Sequence, residues 1–282
     1  MINSSTFELP NPNSVKAEII LDMDFYSEGP VIDKENNLYF TDLAGHCIWQ
    51  LKANVGKVWS KGSRPNGQVI LEDGSHLICD SDAGWVAHHD NKGALIAKLG
   101  SGHIEGIAVR CPSDIAADRH GFYFTDSSRH DGAVFFIGFD GKRRVVAQNI
   151  DYPNGIALSP DGKQLLVAES YGNRILLIEL EAPGHRRGEV QVFATLPFNS
   201  VNRETGNLPD GIAFDPVGRL WVAHYGMQAV QVVSPSGDLL ATYDTGIPLT
   251  SNLCFIGSDI MVTGGLGEPG PGRLSKLTIF KK

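Results

Sequence analysis

Hydrophobic residues along this chain occur in short runs separated by turn-forming residues, and none of these runs is long. The stretch 151–169 shows the pattern clearly, with a loop at 153–155, an apolar run, a Pro160-Asp161-Gly162 turn and a second apolar run that ends at Glu169. Short strands bounded by such turns predict β-sheet. Because no window repeats its apolar residues with a helical period of 3.6, we expect no amphipathic helices.

The same unit, a polar loop residue followed by a strand, a turn and a second strand, recurs six times. Its loop position falls at Glu28, Asn66, Ser113, Asn154, Asp210 and Ser251. The spacings between these positions are 38, 47, 41, 56 and 41 residues, close to the roughly 45 residues of a propeller blade. In the fourth unit the four strands are predicted at 156–158, 165–168, 175–179 and 190–194. The sequence therefore predicts an all-β fold, a six-bladed β-propeller with four-stranded blades.

The two ends of the chain are expected to share one blade. The sixth unit supplies only three strands, and a spare strand is predicted near 17–21. Pairing it with the sixth unit would close the ring and remove an exposed sheet edge. Residues 1–16 are polar and are expected to form an irregular lead-in, and 17–282 are expected to form a single propeller domain. A parallel α/β barrel is disfavoured because no helical segments separate the strand pairs.

Charge and composition exclude several classes of partner. The 282 residues carry a formal net charge of -8, which argues against a nucleic-acid phosphate groove. Basic clusters at 142–144 and 185–187 are predicted to lie in turns or loops as solvated surface. No signal peptide and no apolar run of about 18 residues is visible, so neither export nor membrane insertion is expected.

The cysteines point to a reducing compartment. Their positions are Cys47, Cys79, Cys111 and Cys254. They are far apart and lack CxxC spacing, so we expect reduced, mostly buried thiols in a cytoplasmic protein.

The six loop residues are expected to meet at one mouth of the central channel, because the first strand of every blade lies nearest the axis. Their carboxylate, amide and hydroxyl oxygens, without thiol or imidazole, suit a hard divalent cation such as Ca²⁺. Without a cation, Glu28 and Asp210 would repel each other there. An alternative for any single unit is that Asn-Gly and Asp-Gly merely form turns. The ends of the second strands are expected one step further out, at Asp42, Asp80 or Asp82, Asp126, Glu169 and His224.

At these residues the chain resembles the gluconolactonase/regucalcin (senescence-marker-protein) family of six-bladed propellers. The resemblance covers roughly residues 20–280. Three motifs in the order and blades of the family carry it: Ser27-Glu28-Gly29-Pro30, Pro153-Asn154-Gly155-Ile156-Ala157 and Leu208-Pro209-Asp210-Gly211-Ile212. Two further segments support them, Tyr123-Phe124-Thr125-Asp126 and Arg219-Leu220-Trp221-Val222-Ala223-His224-Tyr225-Gly226.

The resemblance implies one divalent metal ion, held by Glu28, Asn154 and Asp210 with water completing the shell. Ca²⁺ is the expected ion, with Zn²⁺, Mn²⁺, Mg²⁺ and Fe²⁺ as alternatives. It also implies hydrolysis of a sugar lactone or related cyclic ester. The ion would polarise the lactone carbonyl and help to activate water. Asp210, a ligand with a free oxygen, is our candidate for the general base.

Further residues are candidates for contacts with a small-molecule substrate. Asn66 and Ser113 belong to the ring, and Ser113 stands where the family usually has Asn. Arg64 could bind a substrate carboxylate or be a solvated loop residue. Glu169 could shape the pocket wall or cap its own loop. His224 could contact the substrate or be a packed, hydrogen-bonded histidine, and His103 is a weaker candidate.

Two rival functions stay open at this point. One keeps the metal propeller but changes the chemistry, to phosphotriester hydrolysis or to a lyase or condensing reaction like that of strictosidine-synthase-like propellers. The other is a non-catalytic propeller that binds metal or protein. A Ser-His-Asp hydrolase is disfavoured because no Gly-x-Ser-x-Gly sequence occurs. The glycines at 264–267 lack the Lys and helix of a phosphate-binding loop. Oligomeric state is not predicted.

Overall fold

Six four-stranded antiparallel sheets make up the fold in the computed structural model, which describes residues 7–53, 55–201 and 206–280. The outermost strand of the last sheet is β1 (Glu18–Met23). The first blade consists of β2 (Ser27–Ile32), β3 (Leu38–Asp42), β4 (Cys47–Lys52) and β5 (Val55–Lys61). The second consists of β6 (Pro65–Ile70), β7 (His76–Asp80), β8 (Trp85–His89) and β9 (Leu95–Leu99). A two-stranded hairpin, β10 (His103–Ile104) and β11 (Ile107–Ala108), follows.

The remaining blades repeat the arrangement. The third consists of β12 (Pro112–Ala117), β13 (Gly121–Asp126), β14 (Gly132–Gly138) and β15 (Arg143–Ile150). The fourth consists of β16 (Pro153–Leu158), β17 (Gln164–Glu169), β18 (Arg174–Ala182) and β19 (His185–Thr195). The fifth consists of β20 (Leu208–Phe214), β21 (Leu220–Tyr225), β22 (Ala229–Val233) and β23 (Leu239–Asp244). The sixth consists of β24 (Leu249–Ile256), β25 (Asp259–Gly265), β26 (Gly272–Thr278) and β1.

The first strands of successive blades contact one another in a closed ring, from β2 through β6, β12, β16 and β20 to β24 and back to β2. In the last blade β1 pairs antiparallel with β26, with Glu18 opposite Lys276 and Met23 opposite Gly272. Lys276 Nζ lies 2.6 Å from a Glu18 carboxylate oxygen. The predictions of six four-stranded blades and of closure by the N-terminal strand are confirmed.

Apolar side chains from adjacent blades pack face to face and form the core. Between the fifth and sixth blades the rings of Trp221 and Tyr243 stack with centroids 5.6 Å apart, and Phe280 meets Trp221 edge-on. Phe7 packs on Phe280, and the Tyr243 hydroxyl donates to the carbonyl of Pro10 at 2.8 Å. The segment before β1 therefore covers this part of the core.

Aspartates form the turns between the first and second strands. In the first five blades an aspartate side chain in this turn accepts the backbone N–H two residues later, as Asp33, Asp73, Asp118, Asp161 and Asp215 do. These Asx turns are favoured because the side chain replaces a backbone acceptor. Five of the 32 acidic residues of the chain thus shape hairpins at the face opposite the ring residues.

The acids at the ends of the second strands bind backbone and do not form a second wall of the site. Asp80 accepts the N–H groups of Ser63 and Arg64, and Asp126 accepts those of Arg110 and Cys111. In three blades the serine that follows the acid donates to the carbonyl of the proline that starts the next blade: Ser81 to Pro112, Ser127 to Pro153 and Ser170 to Pro209. Each acid-serine pair therefore ties one blade to the next.

Three local expectations can be compared with the structure. Of the basic clusters, Lys142 lies in the turn before β15 as predicted, but Arg143 and Arg144 belong to β15 and 185–187 belong to β19, with side chains that are mostly exposed. A long hairpin extends these outer strands beyond the predicted apolar residues. All four cysteines are free, and Cys47 and Cys79 are buried. Among the described residues, no helix has the length and apolar character to cross a membrane.

Candidate functional site

A cavity of about 290 Å³ opens at the mouth of the channel, where the loop residues of five blades meet. The alternation of side chains along the first strands turns these residues toward the axis. The structure brings together six of the residues predicted from sequence: Glu28, Arg64, Asn66, Ser113, Asn154 and Asp210. The remaining lining residues are Tyr26, Leu43, Tyr152, Ser170, Tyr171, Leu208, Tyr225 and Glu268.

Hydrogen bonds connect three of the ring residues to one another. The Asn66 amide Nδ2 donates to Ser113 Oγ at 3.3 Å, and Ser113 Oγ donates to Asn154 Oδ1 at 2.9 Å. A hydroxyl can accept one hydrogen bond while it donates another, so Ser113 suits the middle of this chain. The side-chain oxygens of Ser113 and Asn154 are therefore held close together at the cavity floor.

Glu28 is a buried carboxylate on the opposite side of the floor, with 5% of its surface exposed. Its Oε2 accepts the backbone N–H of Gly29 at 2.8 Å and the amide of Asn252 at 3.2 Å. Burial raises the pKa of Glu28 to about 7, and repulsion from Asp114 adds to this effect. Removing a carboxylate from water disfavours its charged form unless a cation compensates.

Asp210 is the second carboxylate of the floor, also buried. Burial raises its pKa well above the ordinary range, and the charges of Glu28, Asp114 and Glu268 raise it further. Two acids that hinder each other's ionisation in a cavity are typical of a functional site. A divalent cation between them would favour both charged forms.

The donor set of the floor matches a hard cation. It consists of two carboxylates, the Asn154 amide oxygen and the Ser113 hydroxyl. In the parts of the chain that the structure describes, no group of three or more His, Cys, Asp or Glu side chains could hold a metal ion. A cation here would therefore need the Asn154 amide oxygen besides the two carboxylates, and all of its protein ligands would be oxygens, as Ca²⁺ prefers.

Backbone contacts between blades hold the ring residues in place. Thr41 Oγ1 donates to the carbonyl of Asn66 at 3.1 Å, and Thr125 Oγ1 donates to the carbonyl of Asn154 at 2.7 Å. Gly29 has a φ of +47°, and a Cβ there would overlap the Asn66 carbonyl oxygen. The blades can approach so closely at the floor because this position carries no side chain.

Four residues considered from sequence lie outside the cavity. Glu169 accepts the backbone N–H of Asp151 at 3.0 Å and forms an ion pair with Arg174. It therefore caps its own loop, which is the second of the two roles considered from sequence. His224 is fully buried beside Gln231 in the fifth blade, and burial lowers its pKa to about 4. Ser251 is fully buried and donates to the carbonyl of Ser27 at 2.8 Å. His103 is exposed on the short β10–β11 hairpin.

Comparison with known families agrees with this geometry. The sequence profile of the SMP-30/Gluconolactonase/LRE-like region matches residues 26–263, a span that begins just before Glu28 and includes every ring residue. The chain belongs to this family.

Relatives and solved structures extend the comparison. Lactonase drp35 of Staphylococcus haemolyticus is 30% identical over 267 residues, which cover 83% of this chain and 78% of that relative. A gluconolactonase from Xanthomonas campestris has the same fold with a TM-score of 0.80 at 24% identity, covering 95% of this chain and 91% of that one. Regucalcin from Agrobacterium tumefaciens, described as a calcium-binding protein, gives a TM-score of 0.78 at 21% identity, covering 94% of each chain.

In this member of the SMP-30/gluconolactonase family the lower cavity wall comes from residues two positions before the ring. Tyr26, Arg64, Tyr152 and Leu208 precede Glu28, Asn66, Asn154 and Asp210 by two residues, and all four line the cavity. Only Arg64 was singled out from sequence. The same offset of two residues before the ring position, repeated in four blades, is the signal that identifies the other three.

The upper wall comes from Tyr225, at the end of β21, and from Tyr171 and Glu268, which follow other strands. The Tyr225 hydroxyl donates to a carboxylate oxygen of Glu268 at 3.1 Å. Tyr171 packs edge-on against Tyr152, and the Arg129 guanidinium lies 3.5 Å from the centre of its ring. Tyr171 and Glu268 lie outside the repeated motif, so the repeat carried no signal for them.

Proposed function

We propose that this protein is a lactonase that opens a sugar lactone or related cyclic ester with the help of one divalent cation, Ca²⁺ being the expected ion. The observation that carries the proposal is the pair of buried carboxylates, Glu28 and Asp210, on one cavity floor with the oxygens of Asn154 and Ser113. The lactonase and gluconolactonase relatives support the reaction class, and the calcium-binding neighbour supports the ion.

Glu28, Asn154 and Asp210 would hold the cation, with water completing its shell. A bound divalent ion supplies Lewis acidity, which polarises the lactone carbonyl and lowers the pKa of a nearby water. Asp210 acts as the general base. As water oxygen bonds to the carbonyl carbon, Asp210 takes the proton from that water. The ring C–O bond then breaks, and Asp210 returns the proton to the departing ring oxygen, giving the open hydroxy acid.

The remaining floor and wall residues orient the substrate. Asn66 presents an amide beside Ser113, suited to substrate hydroxyl groups. Arg64 lines the cavity with its guanidinium 3.7 Å from Asp82 and with 44% of its side chain exposed. Because this ion pair is open to water it is weak. Arg64 can therefore turn to a carboxylate on the substrate or product.

Hydrolysis assays on purified protein test the proposal. A panel of aldonolactones, a phosphotriester and an open-chain ester should give turnover of at least one lactone. Chelation should abolish this turnover, and added Ca²⁺ should restore it. Turnover of the phosphotriester without any lactone would contradict the proposal. So would lactone hydrolysis that is unaffected by complete removal of divalent ions.

A further inference from the structure

Two blades differ from the other four at the position after the ring residue. In four blades this position is a glycine: Gly29, Gly67, Gly155 and Gly211. In the third and sixth blades it is Asp114 and Asn252. In a ring of six blades the third and sixth face each other across the axis. Both side chains are buried, with 8% and 7% of their surface exposed.

Neighbouring glycines make room for these two side chains. A Cβ at Gly67 would overlap Asp114 Oδ1, and a Cβ at Gly211 would overlap the side-chain amide of Asn252. Both side chains therefore lie among the first strands, in the channel itself. Side chains at Gly67 and Gly211 could not share this space with them.

The Asn252 amide lies near two buried carboxylates. Its Nδ2 donates to Glu28 Oε2 at 3.2 Å. Burial raises the pKa of the Asp114 carboxyl, and the proximity of the Asn252 amide lowers it. The hydrogen bonds of the Asp114 carboxyl come from the backbone N–H groups of Ile115 at 3.0 Å and Ile156 at 3.3 Å. Glu28 is therefore the carboxylate that the Asn252 amide fixes by a hydrogen bond.

The direction of the amide is determined by its own oxygen. Asn252 Oδ1 accepts the backbone N–H of Leu253 at 2.8 Å. If the amide were reversed, its oxygen would face Glu28 and Asp114, and the buried Leu253 N–H would lose its acceptor. An unsatisfied buried donor costs about 1–3 kcal/mol. The stable orientation of the Asn252 amide is therefore the one in which Nδ2 donates to Glu28.

We propose that Asn252, oriented opposite Asp114, is the positioning residue for Glu28 and thereby sets the affinity of the floor for its divalent cation. The inference rests on the proposed metal-dependent function. Asn252 does not line the cavity. It fixes the Glu28 carboxylate through Oε2 and separates that group from a second buried acid. Residues that orient metal ligands in this way change metal affinity by about 10- to 100-fold when they are replaced.

Calcium titration calorimetry on chelated full-length protein tests this role. Asn252→Leu keeps the volume but removes both donors, and we expect the Ca²⁺ Kd to rise about 10- to 100-fold. Asn37→Leu is the matched control. Asn37 is also buried and also donates from Nδ2 to a carboxylate, Asp33, at 2.6 Å, but in the hairpin turn of the first blade on the opposite face. It should lower the unfolding temperature and leave the Ca²⁺ Kd unchanged.

A double variant, Asp114→Asn with Asn252→Asp, exchanges the two side chains between the positions and so keeps the composition, charge and volume of the pair. Glu28 then faces a carboxylate, so Ca²⁺ binding should stay at least about 10-fold weaker than wild type. Wild-type affinity in this variant, with thermal unfolding showing a folded protein, would overturn the positioning role alone. A wild-type protein that takes up no divalent ion would overturn both this role and the metal-dependent function.

Discussion

Burying the carboxylates of Glu28 and Asp210 costs free energy of folding, and this cost is the reason to assign a function to both residues. Neither carboxylate is paired with a lysine or arginine in the contacts of the described residues, burial raises the pKa of both, and the charge of Glu28 raises the pKa of Asp210 further. A propeller built only for stability would gain from apolar residues at these positions. The arrangement is understandable if a cation occupies the floor during function.

Replacing Asp210 by Asn tests its role as the base. The amide keeps the size of the side chain and can still offer one oxygen, but it cannot take a proton from water. Steady-state assays on the best lactone should show kcat reduced by about 100- to 10,000-fold. An unchanged kcat at saturating Ca²⁺ would assign the proton transfer elsewhere.

Prediction from sequence succeeded for residues that belong to the repeat. Glu28, Asn66, Ser113, Asn154 and Asp210 share one position in successive blades, and the fold turns that position toward the axis. It was inaccurate for the sixth blade, where Ser251 was expected in the ring but Asn252 is the residue that contacts Glu28. The side chain of Ser251 is drawn into contacts with Ser27 and Thr263, and no repeat pattern predicts such a local choice.

At the scale of secondary-structure elements, the acid-serine pairs at the ends of the second strands link the blades. Asp126→Asn tests this link between the blades. The amide can accept only through one oxygen, so the two N–H groups of Arg110 and Cys111 lose a charged acceptor. Chemical denaturation should show a loss of about 1–3 kcal/mol in the free energy of unfolding. The Ca²⁺ Kd should not change, since Asp126 does not line the cavity. A large change in Kd with unchanged stability would be inconsistent with this role.

Strand predictions were good where burial decides the pattern and poorer where it does not. The inner strands β16 and β17 contain the predicted apolar runs. The outer strand β19 runs from His185 to Thr195, although its first residues are exposed and basic. Its pairing with β18 forms a long hairpin, so backbone hydrogen bonding and not burial sets its length. Hydrophobic periodicity cannot detect such an extension.

At the scale of the whole molecule, closure by β1 protects the last edge of the ring. Deleting residues 1–23 would remove the partner of β26 and uncover part of the sixth-blade core. We expect a lower unfolding temperature and concentration-dependent association, measured by scanning calorimetry and light scattering, because an open edge pairs with other chains. A truncated protein that stays monomeric and unfolds at the full-length temperature would show that closure contributes little.

The pH dependence of stability should depend on the cation. The pKa of Glu28 in the folded, metal-free protein is about 7, above its ordinary value of 4.5. The folded state therefore binds more protons than the unfolded state between these values. The contribution of Glu28 to stability is present at pH 4.5 and is lost as the pH rises through 7. Asp210 acts in the same direction.

Added Ca²⁺ should reverse this trend, because metal binding requires the deprotonated carboxylates. At a 100-fold excess over Kd, a bound ion stabilises by about 2.7 kcal/mol. The increase in unfolding temperature on adding a fixed concentration of Ca²⁺ should be larger at pH 8 than at pH 5.5. Comparing samples with and without Ca²⁺ at each pH removes the effect of other groups, such as the buried His76 and His224. An equal increase at both pH values would contradict competition between protons and metal at the floor.

The decisive experiment is the rate of lactone hydrolysis measured while the free Ca²⁺ concentration is buffered from zero upward. If Glu28, Asn154 and Asp210 hold one ion that the reaction needs, the rate should rise from background to a plateau. Its midpoint should equal the Kd from calorimetry at one ion per chain, and Glu28→Gln should move that midpoint to higher Ca²⁺. A rate that is already maximal with all divalent ions removed would contradict the metal-dependent mechanism.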